Sequence, residues 1–256
     1  MKALFFILAS AVLAAQASTP ASQVKLVPKE VTEFDLGKMD GKLVRQLAWS
    51  DDQSQIYLQT FTEDKRALPK DVYHYVVPAA GGEFKKVSAE PDWAIAYWSW
   101  KSGQTAPDDA AFKIDIATDK RVNNATAMPM GGDLAKGGSD GGTGGASVGS
   151  VTGAAQGATN DTVYTMKLKS EVVGEFVNHA IMPGLTFGWG PKGTHLIAYA
   201  DQQGRLVIMD STGAKQKVDG TKSVVLPAFS ADAAKIAYLE GRGRNKYALV
   251  VATIGK

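Results

Sequence analysis

A pattern that returns roughly every 40 residues constrains this chain more than any other feature. Residues 227–254, PAFSADAAKIAYLEGRGRNKYALVVATI, contain its best copy. Two alternating apolar runs, Lys235 to Leu239 and Tyr247 to Ile254, flank a Gly- and Arg-rich tip, and Phe229, Ser230 and Asp232 lead into them. Period-two alternation marks strands with one face turned to a core, and the Gly and Asn between them mark a hairpin turn. The triplet Ile236-Ala237-Tyr238 recurs as Ile197-Ala198-Tyr199 and Ile95-Ala96-Tyr97, and more loosely as Ile56-Tyr57-Leu58, in steps of 39, 102 and 39 residues.

A second series measures the same repeat. Strand-like runs begin at Val72, Phe112, Val163, Leu206 and Tyr247, in steps of 40, 51, 43 and 41. Turn residues follow most of them, PAAGG at 78–82, ATDK at 117–120 and STG at 211–213. Short sheets repeated at this spacing bury their faces only against one another, so the reading is an all-β fold, a β-propeller of five blades. The third blade is degenerate: residues 131–160 hold 11 Gly and no aromatic residue. Four blades plus a disordered insertion, or six blades, are the alternatives. The last unit ends at the C-terminus without room for a fourth strand, so Val31 to Leu36 is assigned that place, because an open ring leaves a sheet edge unpaired. Pro91 to Trp100, with Trp93, Trp98 and Trp100, reads as an inner strand apolar on both faces, with Trp100 at its end as a stacking residue.

WSDDQSQIYL at 49–58, WGPKGTHLIAYA at 189–200 and FSADAAKIAYL at 229–239 resemble the W-S-P-D-G-x-x-I-A-F repeat of the WD40-like, TolB-type bacterial β-propellers. LVIMDSTG at 206–213 is similar to that family's strand-and-turn ending. The resemblance spans most of the chain. It implies the propeller fold and an exported location, and nothing about particular partners, because the motif serves strand packing and turns.

The N-terminus agrees with export. Lys2, the apolar run Leu4 to Ala15 and the small-x-small site Ala15-Gln16-Ala17 have the layout of a signal peptide cleaved after Ala17. Residues 18–30 follow as an extended lead, and 31–256 as a single propeller domain. There is no cysteine, so ordinary core burial must hold the fold together. A formal net charge of +2 gives no nucleic-acid footprint. The expectation is a monomer with neither cofactor nor metal.

Gly145-Ala146-Ser147-Val148-Gly149 matches G-x-S-x-G, but it lies in Gly-rich sequence with no helix after it, so it is not read as a nucleophile elbow. His74, His179 and His195 have no metal-ligand spacing. The densest positive charge is the hairpin tip with Arg242, Arg244 and Lys246, which with Trp100 forms the candidate binding set. The functional expectation is an exported, non-enzymatic propeller that binds a protein or peptide partner through its loops or channel mouth. The alternative is a small secreted hydrolase or lyase acting on a glycan or peptide, with carboxylates and a histidine converging at the axis.

Overall fold

The computed structural model describes residues 21, 24–64, 69–123, 159–177 and 184–255. The expected signal peptide, His179 and, of the Gly-rich segment 131–160, residues 131–158 with Ser147 lie outside them; Thr159 and Asn160 begin a strand. Strand β1 (Lys25–Asp35) is followed by a 3-10 turn at Leu36–Lys38 and by the first blade, β2 (Leu43–Trp49), β3 (Gln55–Glu63), β4 (Pro69–Pro78) and β5 (Lys85–Val87). Helix α1 (Asp92–Lys101) and a short hairpin of β6 (Thr105–Ala106) and β7 (Asp109–Lys113) come next. The second blade is three-stranded, from β8 (Asp115–Asn123), β9 (Thr159–Leu168) and β10 (Glu171–Val177). The third contains β11 (Phe187–Trp189), β12 (Leu196–Ala200), β13 (Leu206–Asp210) and β14 (Lys215–Lys217). The fourth contains β15 (Val224–Phe229), β16 (Lys235–Gly241) and β17 (Lys246–Gly255), and β1 completes it.

Ring closure therefore joins the two ends of the chain. β1 pairs antiparallel with β17 from Lys25 opposite Gly255 to Asp35 opposite Lys246. The strand assigned to 31–36 is the second half of β1; its first half lies in the segment read as an extended lead, and Leu36 already belongs to the 3-10 turn.

The repeat has a mechanical explanation. In the first and fourth blades an aromatic residue ends the inner strand and a Ser-x-Asp turn follows. Ser50 Oγ donates to Asp52 Oδ1 at 2.6 Å and accepts from the Gln55 amide at 2.9 Å. Ser230 Oγ donates to Asp232 Oδ1 at 2.6 Å and accepts from the Lys235 amide at 2.9 Å. The third blade turns instead through Pro191 to Thr194, with Gly193 at φ 86° supplying the left-handed residue. Triplets 56–58, 197–199 and 236–238 lie in β3, β12 and β16, the second strands of their blades, and are buried.

The fourth triplet corrects the reading. Ile95-Ala96-Tyr97 lies in α1, not in a strand, and Phe112, counted as the start of a blade strand, lies in β7 of the short hairpin. The described residues therefore form four blades, where the series of strand starts read along the chain has five members. Pro91 precedes the first helical turn and Asp92 occupies it, next to the positive end of the helix dipole. The inward residues are Ala94, Tyr97 and Lys101, at helical spacing. The segment is apolar around its whole circumference, so neither period stands out in its sequence, and unbroken length without a turn residue favours the helix.

The helix stands in the ring between the inner strands of the first and third blades, and among the described residues no strand fills that place. Inner strands β2, β15 and β11 pack on one another in that order, and α1 packs against both β2 and β11. β11 and β15 approach so closely that a Cβ at Gly188 would lie 2.2 Å from the Pro227 carbonyl oxygen, which requires glycine there. The main core surrounds this axis. A second cluster, including Leu196, Ala198, Ile208, Ile236, Tyr238 and Val250, fills the seam between the third and fourth blades. Among the described residues no helix is long and apolar enough to cross a membrane.

Candidate functional site around the axial helix

Three hydrogen bonds tie α1 and the residues after it to all three inner strands. Tyr97 Oη donates to the Phe229 carbonyl at 2.6 Å, Lys101 Nζ to the Leu47 carbonyl at 3.3 Å, and Trp189 Nε1 to the Gly103 carbonyl at 2.6 Å. Trp49 Nε1 adds a bond across the ring to the Ala228 carbonyl at 2.9 Å. The axis is thus filled by the aromatic ends of the inner strands and by one amine.

That amine is fully buried. Lys101 has no exposed surface, its Cε lies near the Gly188 backbone, and its Nζ stands 5.3 Å from the centre of the Trp98 ring. Among the described residues no carboxylate pairs with it. Burial pushes its pKa down to about 7, because a charged ammonium here loses its water and gains only one carbonyl and a ring face. A lysine free to be neutral near physiological pH is what nucleophilic amine chemistry or a proton-linked switch uses.

Beside the helix, the first blade carries a transverse polar row. Gln46 on β2, Gln59 on β3 and His74 on β4 are cross-strand neighbours. A bulge that leaves Arg45 unpaired between Val44 and Gln46 sets this register and turns Gln46 to the face of Gln59. Glu90, just ahead of α1, accepts from Gln46 Nε2 at 2.8 Å and from Gln59 Nε2 at 3.3 Å. Gln59 Nε2 also donates to Tyr57 Oη at 3.0 Å, and Tyr57 Oη and His74 Nδ1 form a hydrogen bond at 2.7 Å. Burial pushes the Tyr57 phenol up, so it remains a donor throughout the physiological range. Gln59 Oε1 is the buried acceptor in this row without a partner. Trp93 on α1 meets the Tyr57 ring edge to face at 6.2 Å and joins the helix to this row.

The sequence-derived binding set is not brought together. Trp100 is half-buried on α1, tilted against the Tyr97 ring at 4.7 Å. Arg242, Arg244 and Lys246 are exposed at the β16–β17 tip, which is the end of the fourth blade away from the Phe229 contact with α1. Arg242 Nη2 lies 3.0 Å from both Glu30 Oε2 and Glu240 Oε2, so its charge is already matched. His195 has its Nδ1 3.9 Å from Asp108 and 3.8 Å from Asp109, a link between the β6–β7 hairpin and the third blade. Among the described residues no group of His, Cys, Asp or Glu has metal-binding geometry.

Lys101, Gln46, Gln59 and Glu90 were missed in the sequence. Two glutamines inside otherwise apolar strand runs, LVRQLAW and IYLQTF, were the available signal, since a polar side chain in such a run needs a buried partner.

Comparison with known proteins adds little. No family model and no curated protein matches the chain. Among solved structures, an oligogalacturonate lyase in complex with manganese shows a distant likeness: 12% sequence identity over 83% of this chain and 49% of that one, with a TM-score of 0.24. The chain thus spans about half the length of that lyase, and a likeness this slight bears on neither chemistry nor ligand. On their own geometry the described residues form a β-propeller of four blades whose axis is filled by a helix.

Proposed function

We propose that this chain is an exported, non-enzymatic propeller that binds a peptide segment of a protein partner on the face where α1 fills the axis. The observation that supports the reading is the helix itself. It occupies the position where a ring enzyme gathers its reacting groups, and its outward side carries Ile95 and Ala96 between Asp92 and Ser99. Ile95 is 53% exposed with Trp98 half-buried beside it, and Trp93 and Trp100 are half-buried on the other flank. A large apolar side chain this exposed, on a helix bordered by half-buried indoles, fits a docking face. The acidic groups at its N-terminal end, Asp92 and Glu90, favour a partner segment that is apolar and flanked by basic side chains.

Panning a random peptide library on the full chain tests this. Enriched peptides should be apolar with flanking Lys or Arg, and should lose at least about tenfold in affinity for the Ile95→Asp variant. Enrichment that is indifferent to Ile95→Asp rejects the face. Export is tested separately: N-terminal sequencing of chain recovered from the cell envelope should begin at Ser18, and recovery of the uncleaved chain from the cytoplasm rejects it.

A further inference from the structure

The apolar seam between the third and fourth blades ends, at the tip end of the β16–β17 hairpin, in a cavity of about 280 Å³. β1, the β14–β15 connection and the β16–β17 hairpin wall it. Tyr238 lines the cavity, is fully buried, and its hydroxyl has no hydrogen-bond partner among the described residues. An unpaired hydroxyl away from water is costly and is rare without a reason. Glu240, two residues further along the same face of β16, is 5% exposed and also lines the cavity.

The charges around this hydroxyl are unbalanced. Glu30, Asp219 and Glu240 contribute three carboxylates to the lining, against the single guanidinium of Arg242. Arg242 Nη2 is already shared between Glu30 and Glu240 at 3.0 Å each. Lys222 supplies its backbone amide to Glu240 and a more distant positive charge. Burial raises the Glu240 carboxyl above its ordinary value, against the pull of Arg242, so the group gains from any further cation placed beside it. Pro28 and Val250 form an apolar wall next to the charged end. A ligand that satisfies the whole arrangement carries a compact positive charge with N–H donors at one end and a short hydrocarbon stem at the other.

We propose that this cavity binds a short-chain primary amine, with its ammonium donating to the Tyr238 hydroxyl and the Glu240 carboxylate and its stem against Pro28 and Val250. The site lies away from α1 and does not depend on the peptide-binding reading. A free alkylamine and a lysine side chain within a peptide present the same chemistry, and separate probes distinguish them.

NMR titration of the full chain provides the test, with n-pentylamine, N-acetyl-lysine methylamide, 1-pentanol and pentanoate as probes. Pentylamine is expected to shift the Tyr238 and Val250 signals saturably, and both Tyr238→Phe and Glu240→Gln to weaken it at least about tenfold. Tyr238→Phe should keep the wild-type unfolding midpoint, since the hydroxyl it removes has no partner to lose. Equal binding of N-acetyl-lysine methylamide assigns the site to lysine side chains, and binding of pentylamine alone assigns it to free amines. The proposal fails if neither amine saturates, if pentanol or pentanoate binds as well as pentylamine, or if Tyr238→Phe binds pentylamine with wild-type affinity.

Discussion

The seam between the third and fourth blades and the sector between the first blade and α1 solve the same packing problem in opposite ways. In the seam, strands of standard length face each other with small and branched residues, and the repeat holds. In the other sector a helix stands at the axis where the other described blades place a strand, and the packing includes a buried amine, two buried glutamines and a half-buried glutamate. Polar groups in a core reduce stability unless paired. Both sectors bury polar groups, Thr221 and Glu240 beside the seam among them; what sets the helix sector apart is a fully buried amine with no carboxylate partner among the described residues.

The regular blades should break hardest. A chain beginning at Gly37 loses β1 and exposes the edge of β17 along its full length, so it should fail to give a cooperative unfolding transition by circular dichroism. Trp189→Ala should cost about 3–5 kcal/mol in urea unfolding, since the indole is fully buried and its Nε1 bond to Gly103 is lost with it. If Trp189→Ala costs under about 1 kcal/mol, the axis is not the common core described above.

Lys101→Met should act in the opposite direction. The folded-state pKa of Lys101 is depressed to about 7 from 10.5, so between those values the unfolded chain binds a proton that the folded one does not. Wild-type stability should therefore rise with pH across that window, and the full penalty should be present below about pH 7. Replacing the amine with an apolar side chain of similar shape should stabilise the protein at pH 7 by up to about 4 kcal/mol, or on the order of 10 °C in Tm, and flatten the slope. A variant less stable than wild type, with the slope intact, would place the ammonium's partner somewhere other than this axis.

What could be read from the sequence follows the same division. The second strands of three blades, the Ser-x-Asp turns and the return of the N-terminal strand were legible, because each is written in residues adjacent along the chain. The helix was not. Ile95-Ala96-Tyr97 copies the repeat's triplet letter for letter, and the segment's length without a turn residue, together with its packing between β2 and β11, decides that it coils. The polar row was also hidden: Gln46, Gln59 and Glu90 meet only through strand register and the Arg45 bulge. Arg242 was legible as a basic tip but not as the partner of Glu30, which lies more than two hundred residues away in the chain and arrives with β1. The three tryptophans in 93–100 were read as strand residues and lie on the helix.

The smallest effects should come from the turns, and they compare two copies of one device. Hydrogen bonds from Ser50 and Ser54 hold Asp52 well below the usual carboxylate range, at about 2. For Asp232 burial pushes upward, but bonds from the side chains of Ser230 and Gln53 and from the Ala234 amide outweigh it and keep the group lowered. Both carboxylates therefore contribute stability that is present above the unfolded value of 3.8 and lost as pH falls through the folded one. Asp52→Asn and Asp232→Asn should each change the pH 7 unfolding midpoint only slightly, because solvent screens exposed groups. Their effect should shrink further between pH 4 and pH 2, where the wild type loses the same interactions. Asp232→Asn should also loosen the contact with Gln53, which ties this turn to that of the first blade, so its effect should exceed that of Asp52→Asn. Equal effects would mean that each turn is locked within its own blade and adds nothing to closing the ring.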